Sequence, residues 1–111
     1  VNALDRLEEL MLKLKEFSDE RDWNRFHTPS NLAKSISIEA AELLECFQWS
    51  DDEFDSDAVL DELADVMNYC LRMTQVLGVD MIDIVSRKMD KNAKKYPIEK
   101  SKGKSVKYNR L

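Results

Sequence analysis

The chain has 111 residues, 43% of them apolar, and carries 17 basic and 22 acidic side chains for a net charge of −5. That length suits one domain with a modest core, and a total of two glycines and two prolines argues against a turn-rich β fold and for long helices. No stretch approaches the ~20 apolar residues of a membrane span and no signal-peptide pattern opens the chain, so a cytoplasmic protein with no membrane partner is expected. Cys46 and Cys70 each sit among helical apolar positions and form no C-x-x-C, which reads as two buried, reduced thiols.

The charge is unevenly spread. Residues 1–83 hold 7 basic and 20 acidic side chains, whereas residues 84–111 hold 10 basic and 2 acidic. A basic end can bind nucleic acid, clamp phosphates on a small ligand, or pair with the acidic remainder. The absence of interleaved aromatics and the −13 balance of residues 1–83 argue against nucleic acid.

In chain order, Leu4, Leu7, Leu10, Met11, Leu14 and Phe17 fall on one face of a first helix over 3–22. The stretch 21–27 then leaves that helix with Trp23, Phe26 and the single histidine, His27. Thr28-Pro29 combines a capping hydroxyl with proline at the first helical position, which starts a second helix over about 29–48. Residues 50–57 form an acidic connection in which Ser56 or Asp57 can cap a third helix, about 57–77, stopped by Gly78. Asp80 can cap a fourth helix with Ile82, Val85 and Met89 on its inner side, ended by Pro97. The expected fold is an all-α four-helix bundle over 1–97, with a polar, basic tail over 98–111 that a partner or ligand would order. The apolar stripes on helices two and three are broad for so small a chain, which points to self-association into a dimer or larger assembly.

Two acidic patterns interrupt those stripes. Glu39-x-x-Glu42 lies beside Leu32, Ile36, Ala40, Leu43 and Phe47; Glu62-x-x-Asp65 lies beside Val59, Val66, Met67 and Leu71. Carboxylates three residues apart stand on adjacent turns, roughly 5–6 Å apart at Cβ. Four of them facing an apolar interior repel one another and need protons or cations. Solvated surface acids are one reading, and a non-catalytic oligomerisation or partner-binding module with structural carboxylates follows from it. A di-iron bundle requires two E-x-x-H patterns, which the lone His27 outside the helices does not supply. An oxygen-only Mg²⁺ site is the third reading, and it is the usual equipment for hydrolysing phosphoanhydrides. Trp23, Phe26 and Trp49, at the ends of helices one and two, could wall a pocket for a planar base, where stacking is worth roughly 1–3 kcal/mol.

The quartet Glu39, Glu42, Glu62 and Asp65 resembles the E-x-x-E, spacer, E-x-x-D signature of the all-α nucleoside triphosphate pyrophosphatases of the MazG type, in particular their dCTP pyrophosphatase branch. Glu20-Arg21-Asp22-Trp23, Phe26-His27, Phe47-Gln48-Trp49, and Lys88-Met89-Asp90-x-Asn92 with Tyr96-Pro97 extend the resemblance to about residues 14–108. The resemblance implies hydrolysis of a dNTP between the α- and β-phosphates, with Mg²⁺ (or Mn²⁺ in its place) held by the four acids and Glu39 or Glu42 as base. It further implies Trp23, His27, Trp49 and Tyr69 around the nucleoside, Tyr69 excluding a ribose 2′-hydroxyl. Lys88, Lys91 and Lys95 would meet the β- and γ-phosphates, with Asn92 as a polar ligand. Tetramers whose sites draw on more than one subunit are implied as well. Leu14 departs from the pattern, being apolar where the family uses a polar group near the base. Ile38 stands where the dUTP-hydrolysing branch carries an extra glutamate.

Overall fold

A computed structural model of the chain describes residues 4–111. Helix α1 is Arg6–Glu20, α2 Pro29–Glu45, α3 Ser56–Leu77, α4 Met81–Lys95 and α5 the single turn Ile98–Ser101; short 3₁₀ turns cover Asn24–Phe26 and Tyr108–Arg110. No strand occurs among the described residues. The chain divides into two compact units, one ending at Gly78 and one spanning Val79–Leu111.

In the first unit the caps explain where each helix starts and stops. Asp5 accepts from the Glu8 amide at 2.8 Å to open α1; position 3, where this helix was expected to start, lies outside the described residues. The helix closes at Glu20 rather than 22 because Asp22 takes a left-handed φ of 53°. The Trp23 amide then reaches back to the Ser18 carbonyl at 3.0 Å and the Asp22 amide to Asp19 at 3.1 Å. This is a Schellman closure with aspartate where glycine is usual. Asp22→Gly is therefore expected to raise stability by about 0.5–1 kcal/mol, measured by urea unfolding, because the left-handed position costs glycine nothing sterically.

Thr28 Oγ1 accepts from the Asn31 amide at 3.1 Å, with Pro29 in the first turn, as expected. Helix α2 ends three residues early because Cys46, Phe47 and Gln48 donate to Leu43, Leu44 and Glu45, three residues back, which tightens the chain out of α geometry. The connection to α3 is closed by the Phe47 and Phe54 rings, 4.7 Å apart, and by Ser50 Oγ accepting from the Asp52 and Glu53 amides. The cap of α3 is Asp55, not Ser56 or Asp57: its carboxylate accepts from the Asp57 and Ala58 amides. Gly78, at φ 67°, ends the helix as expected.

Helix α3 packs on both α2 and α1, and Gln75 Nε2 donates to the Met11 carbonyl at 2.8 Å. Leu32, 1% exposed, is the fully buried apolar residue among the described residues, while Leu44, Leu60 and Met67 stand 71%, 61% and 55% exposed. The α2 and α3 stripes are thus only partly covered within one chain. Cys46 is half-buried and Cys70 exposed, which corrects the expectation of two buried thiols.

In the second unit Asp80 occupies the N-cap position of α4, although its side chain makes no capping bond. The tail is not left without structure. The Tyr108 amide donates to the Tyr96 hydroxyl at 3.3 Å, the two rings lie 6.3 Å apart edge to face, and Lys95 Nζ sits 4.9 Å over the Tyr108 ring. These contacts order residues near 108 from within the unit itself, which the polar, basic composition of 98–111 did not suggest.

Candidate metal and nucleotide site

Helices α2 and α3 bring the acids together. Carboxylate oxygens of Glu39, Glu42 and Glu62 lie within 4.8 Å of one another. One oxygen of Glu39 and one of Glu62 are buried without a hydrogen-bond partner. A buried acceptor left unpaired costs free energy comparable to a lost hydrogen bond, and an ionised one costs more. The electrostatics of the cluster favour the protonated forms of Glu39 and Glu62. Burial foremost, then a hydrogen bond to Glu42 and the charges of Glu42, Asp65 and Glu62, push the Glu39 carboxyl from 4.5 to about 7. Burial is also the main cause that raises Glu62, followed by Glu42 and the charge of Asp65. Asp65 is itself exposed, one turn along α3 from Glu62, and acts on both through its charge. Hard oxygen donors with orphaned buried atoms fit a hard divalent cation, which would take the place of those protons.

The acids open onto a cavity of about 530 Å³ in the same unit. Glu39 and Asp65 form its acidic end, and Leu14, Phe17 and Trp23 part of its apolar wall. Tyr69 and His27 line it too. The Trp23 ring stands edge-on to Phe17 at 5.6 Å and to His27 at 6.3 Å. Leu14, the departure from the family pattern, belongs to that wall.

Trp49 is placed differently. It stands 90% exposed and outside the cavity wall, because α2 stops at Glu45 and the tightened turn carries the indole to the surface. Lys88, Lys91, Asn92 and Lys95 lie along α4 in the second unit, all exposed.

Four polar lining residues were not anticipated: Lys13 and Ser18 on α1 and Asn68 and Arg72 on α3. A signal for two of them existed. Asp65, Asn68, Tyr69 and Arg72 are spaced 0, 3, 4 and 7, one continuous face of α3, and an arginine in Cys70-Leu71-Arg72-Met73 interrupts an otherwise apolar run. Arg72 is 8% exposed, and its guanidinium donates to His27, Asn24 and Gln75.

The MazG-like family model matches residues 34–111. The chain is 36% identical to dCTP pyrophosphatase 1 of Bos taurus and 35% identical to that of Homo sapiens, over 95% of its own length and 68% and 67% of theirs. The crystal structure of a pyrophosphatase from Archaeoglobus fulgidus superposes with a TM-score of 0.76 at 44% identity, covering 87% of this chain and 97% of that one. A family match over most of the chain, relatives at 36% and 35% identity and a solved structure that superposes with a TM-score of 0.76 converge: the chain belongs to the MazG-like family.

Proposed function

We propose that this chain, a nucleotide pyrophosphatase of the MazG-like family, is a Mg²⁺-dependent enzyme that cleaves dCTP or a modified dCTP to the monophosphate and pyrophosphate in the cytoplasmic nucleotide pool. One observation carries the reading: Glu39 and Glu62, each with a buried, unpartnered oxygen, converge with Glu42 beside a cavity walled by aromatic rings. The branch preference rests on the similarity to dCTP pyrophosphatase 1.

Glu39, Glu42, Glu62 and Asp65 are the proposed ligands of the cation, for which Mn²⁺ can substitute. Bound there, it supplies neutralisation of phosphate charge. Glu39 and Glu42 are the candidate bases, one carboxylate oxygen taking the proton of the water that attacks the α-phosphorus. Trp23 and His27 flank the nucleoside, and the Tyr69 ring, one turn beyond Asp65, restricts space at the sugar. Lys88, Lys91 and Lys95, with Asn92, are the proposed contacts of the outer phosphates.

Self-association completes the picture. The exposed Leu44, Leu60 and Met67 suit a dimer or tetramer, and the exposed Trp49 is the residue one subunit would lend to another's cavity. Incubation with each dNTP and Mg²⁺, with pyrophosphate and orthophosphate detected separately, tests the activity. Equimolar dCMP and pyrophosphate from dCTP are expected; no turnover of any nucleotide, or orthophosphate alone, would overturn it.

A further inference from the structure

Arg72 is buried, yet among the described residues it forms no ion pair. What compensates the cation is a set of neutral acceptors. Nε donates to His27 Nδ1 at 3.0 Å, Nη1 to Gln75 Oε1 at 2.9 Å, and Nη2 to Asn24 Oδ1. Asn24 in turn donates to Asp19, which Lys15 holds at 2.7 Å, so the Asp19 carboxylate reaches Arg72 only through an amide.

The bond to His27 fixes more than a position. A guanidinium has donors and no acceptor, so the His27 nitrogen facing it must carry a lone pair. A neutral imidazole with Nδ1 unprotonated bears its proton on Nε2. An imidazolium would set an Nδ1–H against the Arg72 Nε–H. Nε2–H is therefore the polar group His27 has left to offer the cavity it lines.

We propose that Arg72 is a positioning residue that locks His27 as the neutral Nε2–H tautomer, so that the nucleoside meets an uncharged hydrogen-bond donor at that wall. It ties the 24–27 turn, and with it Trp23, to α3 by two bonds across more than forty residues of sequence. The titration of His27 runs in the same direction: burial chiefly, and the charge of Arg72 next, hold its pKa below 6.5. Other charged or titratable groups on the same cavity are Lys13 from α1, Glu39 from α2, and Asp65 and Tyr69 from α3. The nucleoside's part in this inference rests on the function proposed above; the tautomer does not.

His27 is the only histidine, so the imaging of one imidazole by ¹⁵N NMR on the full chain without nucleotide reads its state directly. The native protein should show Nε2–H with Nδ1 unprotonated and a pKa below 6.5. Arg72→Gln should move that pKa up toward 6.5 and mix the tautomers. It should also raise KM for the preferred dNTP about tenfold, the loss of roughly one oriented hydrogen bond, with kcat reduced less than about twofold. Arg72→Lys, which keeps the charge, should fall between. An Nδ1–H tautomer in the native protein overturns the proposal without need of any variant, as does an unchanged His27 titration in a folded Arg72→Gln protein. A locked tautomer in a protein that hydrolyses no nucleotide would leave the lock standing and remove the proposed function; turnover with Nδ1–H would do the reverse.

Discussion

Glu42→Gln is expected to lower dNTP turnover at least about a hundredfold, ~2.7 kcal/mol in the barrier, while raising the melting temperature of the metal-free protein. The two effects share one cause. A Glu42 oxygen stands within 4.8 Å of carboxylate oxygens on Glu39 and Glu62, and its hydrogen bond and charge contribute to pushing both of those carboxyls upward. Replacing it with a neutral amide of the same shape relieves repulsion in the absence of a cation and removes a ligand in its presence. A structural salt-bridge network would respond the other way, since loss of a member would destabilise it. Turnover assays together with thermal melts in EDTA measure both arms, and far-ultraviolet circular dichroism should show unchanged helix content. A variant with native turnover, or one that melts lower in EDTA, would contradict the account.

Removal of divalent metal should make stability fall as pH rises through the window from about 4.5 to about 7. The sign follows from Glu39. In the unfolded chain its carboxyl ionises near 4.5, and in the folded protein near 7, so between these values the folded state holds a proton that the unfolded state has lost. Stability falls with pH wherever the native state binds more protons, and it levels off above the folded value. Glu62, also raised, adds to the same slope. Metal binding needs the deprotonated carboxylates, so the stabilisation by Mg²⁺ should grow over that same range. At a metal concentration a hundredfold above Kd the gain is ~2.7 kcal/mol. Urea unfolding at pH 5, 6, 7 and 8, with EDTA and with Mg²⁺, checks both slopes. Curves that rise with pH in EDTA, or that coincide with and without metal, would contradict the account.

The helical class and most element boundaries were legible because their causes are local. Thr28-Pro29 and Gly78 act through a hydroxyl, a ring and a left-handed φ that no distant contact needs to supply. The convergence of Glu39, Glu42 and Glu62 was legible because carboxylates at helical spacing inside apolar stripes conflict with burial. Where local chemistry offered near-equal options, the outcome was less readable. Asp22 closes α1 in a conformation aspartate seldom takes, and i→i−3 bonding ends α2 before Trp49, whose indole stands exposed and outside the cavity wall. Arg72 was missed for a different reason. An arginine on a helix usually reads as a solvated face, and what buries this one is Asn24 and His27, 48 and 45 residues earlier. The contact of Tyr108 in the tail with Tyr96 was hidden likewise, since it joins two residues whose pairing composition cannot show.

The account stands on acids from α2 and α3 sharing a cation. Crystals soaked in Mn²⁺ report on it through the anomalous signal of the metal. A peak among the carboxylate oxygens of Glu39, Glu42 and Glu62, with Asp65 turned toward it, is the predicted result. Fully occupied crystals with those four side chains ordered, and no anomalous peak between the two helices, would contradict it.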